Sequence, residues 1–319
     1  MSVFQGSGHG WWKKSVAKIP SQINPIVAPK FRIDRQTKIA TAGSCFAQYL
    51  SRHLQRGQHN FYVAEAAPGL LNPEEARAYH YGLFSARYGN IYTSRGLLQL
   101  LKRAFDLWHS CEPAWQDDTG RFIDPLRPLV QPGGYISIDE MAHDRKNHLA
   151  AVRAMIENLE VSVFTLGLTE LWERKSDGTV FPACPGCGHG RFDGALYQFR
   201  NLTVADVIAD LTEVIALIKI HNPDAKLLLS VSPVPLNATY SGRHVVQATS
   251  YSKSVLCAAA EDIRSSHDDV DYLPSYKIIT GSFAPGHYFE PDLRTVTDSG
   301  IHRVMRPSDG GRVPLCVGG

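Results

Sequence analysis

Apolar residues along this chain alternate between two rhythms, a helical stripe and a short continuous run, from about residue 36 to residue 305. Leu149, Val152, Ile156 and Leu159 recur at three- and four-residue spacing, which predicts an amphipathic helix over 143–159. It leads into Val161-Ser162-Val163-Phe164-Thr165-Leu166, a run ending at Gly167 that reads as a strand buried on both faces. Thr203 with Asp206 three residues on forms a variant capping box. Behind it, Val204, Val207, Ile208, Leu211, Ile215 and Ile218 give one helix an apolar face. The run Lys226 to Val231 predicts the next strand, stopped by Ser232-Pro233-Val234-Pro235. A helix over 251–265, a strand over 270–273 and a last helix over 297–305 complete the series.

This alternation predicts an α/β fold with a parallel sheet covered by helices on both faces. In such folds ligands bind beyond the carboxyl ends of the strands. That rule puts Gly43-Ser44-Cys45, Gly167-Leu168-Thr169-Glu170 and Ser232-Pro233-Val234-Pro235 on one rim. Residues 60–140 break the rhythm and read as an insertion carrying Tyr88-Gly89-Asn90-Ile91-Tyr92-Thr93 and a helix from Ser94 to about Trp108. Residues 1–35 are a lead-in whose Trp11 and Trp12 are expected to pack onto the body. Residues 306–319 lose all periodicity and are expected to fray.

Composition removes several function classes. The formal net charge is +2, and no Lys/Arg run is longer than a pair such as Lys13-Lys14, so no nucleic-acid partner is expected. No stretch of 18 apolar residues exists, so no membrane span is expected. The polar, glycine-rich first ten residues lack the apolar centre of a secretory signal, which makes the cytoplasm, with reduced thiols, the expected location. Cys45, Cys111, Cys184, Cys187, Cys257 and Cys316 are too few for a disulfide scaffold in a chain of 319 residues. Cys184-Pro185-Gly186-Cys187-Gly188-His189 resembles half a zinc site, but no second pair completes it, so it reads as a turn and no metal is expected. Without a Gly-x-Gly-x-x-Gly or phosphate loop, no bound cofactor is expected either. No feature of the sequence specifies an oligomeric state.

The chemistry concentrates in Lys38-Ile39-Ala40-Thr41-Ala42-Gly43-Ser44-Cys45-Phe46-Ala47-Gln48. It reads as a buried strand, a glycine turn, and two nucleophile-capable side chains opening a helix that continues through Phe46, Leu50 and Leu54. A thiol or hydroxyl there sits among unpaired N–H groups at the positive end of the helix dipole. That setting favours a thiolate and can hold an oxyanion, which suits acyl chemistry. The alternative is a turn of small residues holding a buried cysteine, with Ser44 as helix cap.

The pentapeptide Gly43 to Ala47 is accompanied, in order, by Asn90-Ile91-Tyr92-Thr93, Thr165 to Trp172, Ser230 to Leu236, and the runs near Tyr272 and Tyr288. On these motifs the chain resembles the GSCFA family, grouped with SGNH/GDSL hydrolase-like proteins. The resemblance implies a flavodoxin-like three-layer α/β/α sandwich with a helical insertion, one domain over 36–305. It places Cys45, or its neighbour Ser44, as nucleophile. Gly89, with Asn90, stands where a glycine supplies an oxyanion N–H, and Thr169, followed by Glu170, replaces an oxyanion asparagine. Glu170 is expected to position a substrate hydroxyl or to anchor the Gly43 turn. The family's closing Asp-x-x-His is altered: Asp292-Leu293-Arg294-Thr295 ends in threonine. His302, oriented by Asp298 or Asp292, is the expected base, with His287 in reserve. Lys277 is a second departure, at a place where relatives carry an acidic residue.

Two functions fit these residues. One is an esterase or O-acyltransferase acting on an ester or thioester, with a small-molecule or saccharide substrate and acyl-CoA as donor in the transferase version. The other is a non-catalytic carbohydrate- or acyl-binding protein that keeps the cleft and has lost its base.

Overall fold

Five small or β-branched residues, Ile39-Ala40-Thr41-Ala42-Gly43, form the first strand of the core, and all five are buried. The computed structural model describes residues 10–17, 23, 25 and 29–305. Within them the elements run α1 (Trp12–Ser15), β1 (Ile39–Gly43), α2 (Cys45–Arg56), α3 (Pro73–Ala78), α4 (Ser94–Ala104), β2 (Trp115–Gln116) and β3 (Phe122–Ile123). They continue as α5 (Ile138–Asn158), β4 (Val161–Leu166), β5 (Glu170–Arg174), β6 (Val180–Phe181), β7 (Tyr197–Asn201) and α6 (Val204–His221). The last are β8 (Lys226–Val231), α7 (Val245–Ser266), β9 (Val270–Leu273), α8 (Ser275–Thr280) and α9 (Asp298–Met305).

The central sheet has the order β1-β4-β8-β9, all parallel, with Gly43 opposite Thr165 and Thr165 opposite Ser230. Side chains alternate across it. Ala40, Ala42, Phe164, Leu166, Leu227 and Leu229 join one core with residues of α4, α5, α6 and α7. Ile39, Val161, Val163, Leu228 and Leu273 join the other with residues of α2, α8 and α9. This is the three-layer sandwich, and period-two alternation is what sends one strand's residues into both layers.

β1 is an edge strand, yet its outer side is not bare. Ile39 accepts from the Tyr62 N–H and donates to Asn60, Thr41 N donates to the Ser85 hydroxyl, and Gly43 accepts from Ile91 N–H. The Tyr88 hydroxyl also donates to Thr41. The segment read as an insertion thus begins by lying along the sheet, with Phe61 bridging parallel to Ile39. A second, antiparallel sheet, ordered β6-β5-β7, springs from the rim just after β4.

Some expectations shift. The helix from Ser94 ends at Ala104, and the chain then turns through Asp106 at φ 57. The helix expected from 251 already starts at Val245. Trp11 and Trp12 are exposed rather than packed onto the body, because the short helix α1 buries no residue. The fraying tail, 306–319, lies outside the described residues. Among those described, no helix is long and apolar enough to cross a membrane.

Candidate active site

The turn between β1 and α2 is possible only with glycine. Gly43 has φ 139, and a Cβ there would stand 2.4 Å from the Thr165 carbonyl oxygen. The close approach lets Ser44 N–H donate to that same oxygen at 3.1 Å. It sets Cys45 at the first position of α2, half-buried and packed against the core that α2 shares with α8 and α9. Ser44 differs from its expected role: its side chain makes no capping bond, and Oγ is buried without a partner. Its Cβ instead packs against Gly167, where an added Cβ would lie 3.0 Å away.

Gly167 is where the site gains a residue that motif reading missed. Lys253, on α7 and 1% exposed, donates from Nζ to the Gly167 carbonyl at 2.5 Å. Its neighbour Ser252 accepts from Thr169 N–H at 3.0 Å, so consecutive residues of α7 clamp the turn leaving β4. Burial drives the Lys253 ammonium down to about 7, opposed by the nearby Cys45 and Cys257 sulfurs. The signal was present in the sequence. Lys253 sits on the stripe Leu256, Ala260, Ile263, where a charge in a core face has no packing reason.

Across from Cys45, a chain of amides reaches a phenol. Gln48 Nε2 donates to Asn90 Oδ1 at 3.0 Å, and Asn90 Nδ2 donates to the Tyr92 hydroxyl at 3.1 Å. Tyr92 therefore keeps its own proton to give. Burial raises this phenol, and the neighbouring Cys45 raises it further. Arg294 acts on both Tyr92 and Lys253 through its charge, and its Nε is buried without a partner.

The expected residues divide into two groups. Cys45, Ser44, Gly89 and Asn90 gather at the end of β1, where Ile91 N–H bonds Gly43. Thr169 is close by but spent, its hydroxyl donating to Asn201 Oδ1 at 2.6 Å. Glu170 does not bond the Gly43 turn: it receives the Thr239 hydroxyl at 2.5 Å and Tyr240 N–H at 3.2 Å. His302 is exposed, with its ring 5.8 Å from that of His53. His53 is eight residues along α2 from Cys45, roughly 12 Å of helix. Asp298 is exposed at the start of α9, and His287 is exposed against Tyr288. Asp292 accepts from Arg294 N–H, Thr295 N–H and the Thr295 hydroxyl, at 2.9, 2.8 and 2.6 Å. It thereby fastens the turn that carries Arg294, with Leu293 left-handed at φ 53.

Beside Tyr92 opens a cavity of about 230 Å³, lined by Leu168, Glu170, Trp172, Phe181, Phe199 and Tyr240 among others. Cys184 and Cys187 stand on its wall as free thiols in a turn, Cys187 N–H bonding Cys184 at 2.9 Å. Burial pushes the Cys184 thiol up to about 11. Among the described residues no group of His, Cys, Asp and Glu is arranged to hold a metal ion.

Comparison with protein families matches residues 38–307 to the GSCFA family. Comparison with curated proteins finds no match. Among solved structures the chain is similar to an acetyl xylan esterase, Est2A, from the rumen bacterium Butyrivibrio proteoclasticus, with 12% identity and a TM-score of 0.25. The alignment covers 79% of this chain and 57% of that one, so the chain spans little more than half the esterase's length.

Proposed function

The chain belongs to the GSCFA family, and from that premise we propose that it is an acyl-transfer enzyme acting on an ester or thioester through Cys45. The observation that carries this reading is Lys253: a fully buried amine bonded to Gly167, which lies against Ser44, and within electrostatic reach of Cys45. An amine titrating near 7 is present in its neutral form at physiological pH and can take a proton.

Neutral Lys253 removes the proton of the Cys45 thiol, and the thiolate attacks the acyl carbon. The carbonyl oxygen that gains the electron pair is held by the Tyr92 O–H and by backbone N–H groups of Cys45 and Gly89, with Arg294 supplying positive charge. As the carbonyl reforms, the bond to the leaving group breaks, and Lys253 returns its proton to the departing oxygen or sulfur. The acyl group then rests on Cys45 as a thioester. Water attacking it makes the protein an esterase; a saccharide hydroxyl attacking it makes an O-acyltransferase, with acyl-CoA as donor. In either case Lys253 takes the incoming proton and the C–S bond breaks. The exposure of Cys45, against 2% for Ser44, favours sulfur over the hydroxyl as nucleophile.

A binding protein without turnover is the second reading, favoured by the position of His302 beside His53. Hydrolysis of p-nitrophenyl acetate with intact-protein mass measurement separates the two. Wild-type protein gains one acetyl group on Cys45, and Cys45→Ala gains none and loses turnover. Equal turnover by Cys45→Ala, or absence of any acetyl adduct in wild type, overturns the acyl-transfer reading.

A further inference from the structure

Helix α4 carries into the protein a guanidinium that makes no ion pair among the described residues. Arg103 is 8% exposed, and its Nε and Nη1 are buried without hydrogen-bond partners. Arg127, 2% exposed, donates Nε to Asp124 at 3.1 Å and Nη2 to Asp144 at 2.8 Å, but its Nη1 is also unpartnered. Both side chains line the cavity beside Tyr92.

The carboxylates around them are committed elsewhere. Asp124 also receives Arg145 at 2.9 Å, and Asp144 receives Arg87 and the Tyr135 hydroxyl at 2.8 and 2.7 Å. Glu65 receives His148 and the Arg87 N–H, at 2.7 and 2.8 Å. Four guanidiniums, of Arg87, Arg103, Arg127 and Arg145, thus face three carboxylates. His148 adds no charge, since burial lowers it to about 4. Arg103 forms an ion pair with none of these carboxylates; Asp124, already bonded to Arg127 and Arg145, acts on it only through its charge. Burying such a charge is strongly unfavourable, and an aliphatic side chain would pack the same space better. Burial lowers Arg103 itself, to about 10.

We infer that this cavity is an anion subsite in which Arg103, flanked by Arg127, takes a singly charged carboxylate borne on a sugar ring, a ligand of the uronic-acid class. The unpartnered N–H groups of Arg103 and Arg127 suit a carboxylate, and the Glu170 carboxylate on the same cavity opposes a more highly charged anion such as phosphate. Trp172, Phe181, Phe199 and Tyr240 supply faces against which a ring can lie. Tyr92 borders both this cavity and Cys45, so a ring held here brings its hydroxyls toward the sulfur. As the acceptor in acyl transfer, the uronate rests on the reading above; as a bound ligand it does not.

Thermal unfolding of the full chain tests this with sodium glucuronate, glucose and inorganic phosphate at constant ionic strength. Glucuronate at ten times its Kd is expected to raise Tm by about 3 °C, with glucose and phosphate giving no shift. Cys45→Ala is expected to keep the glucuronate shift, which separates failure of the subsite from failure of the chemistry. Arg103→Met, relieved of an unpaired charge, is expected to have an unchanged or higher Tm and no glucuronate response. Arg103→Lys, which keeps the charge without the fork, is expected to retain a weakened one. A glucose shift equal to that of glucuronate, no shift in wild type, or an undiminished shift in Arg103→Met overturns the proposal. So does a fall in Tm of Arg103→Met in a protein whose wild type ignores glucuronate, since that is the mark of a purely structural arginine.

Discussion

Lys253 reaches 2.5 Å from the Gly167 carbonyl, and Gly167 in turn lies against Ser44, so the only ammonium in the core abuts the turn that presents Cys45, among the described residues. An amine placed there has two measurable consequences, one in rate and one in stability.

For the rate, the base must be neutral. Activity toward p-nitrophenyl acetate is expected to climb as pH passes upward through about 7, following Lys253. Lys253→Met is expected to lower kcat/KM by roughly 10²–10⁴ and to erase that limb of the pH profile. A variant with the wild-type profile would remove Lys253 from the chemistry.

For stability, the sign follows from a lowered amine. Between about 7 and the unfolded value of 10.5 the unfolded chain binds a proton that the folded chain does not, so stability rises with pH across this window. Below it both states are protonated and the full cost of a buried charge is felt, on the order of 5 kcal/mol. Urea denaturation of wild type and Lys253→Met at pH 6 and pH 10 is expected to show this slope in the first protein only.

Gly43→Ala is expected to destabilise the fold by about 3–5 kcal/mol, combining a left-handed φ with a clash against the Thr165 backbone. Chemical denaturation reads it directly. A loss under 1 kcal/mol, roughly that of an ordinary surface change, would mean the turn can open without harm.

His302→Ala is expected to leave esterase kinetics within about twofold, the scatter of a residue that touches no reacting atom. Asp292→Ala, by contrast, frees the turn that aims Arg294 and is expected to lower kcat about tenfold with the fold intact. Because the Thr295 hydroxyl and two N–H groups hold the Asp292 carboxyl below its usual range, the turn is expected to loosen only as pH falls through that lowered value. Steady-state rates over pH 3–8, roughly the carboxylate and imidazole range, check both variants. If His302→Ala falls a hundredfold instead, the imidazole belongs in the mechanism.

Local signals carried most of the architecture. The apolar strands, the Thr203–Asp206 box and the glycine turn at Gly43 are each specified within a few residues, and each stands where the pattern put it. The placement of the histidines was harder, because motif spacing names residue types and not which helix face packs against which. Thr295 occupying the usual histidine place pointed to His302 as a substitute, but α9 docks at the far end of α2 and delivers it to His53. Lys253 carried a different signal, a charge on the apolar stripe Leu256, Ala260 and Ile263, whereas Arg103 shares its face with Gln99 and carried none. Ser44 was read as a cap on residue type alone; packing against Gly167 turned its hydroxyl away from the helix N–H groups.

The bonds from Asn60, Tyr62, Ser85 and Ile91 to the outer side of β1 carry a consequence for anyone trimming the protein. Those coil residues do the work of a missing fifth strand. A shortened chain lacking 60–91 would leave β1 and the Cys45 turn on a raw sheet border, with unpaired amides open to a second molecule. Its fate would be self-association rather than a smaller stable fold.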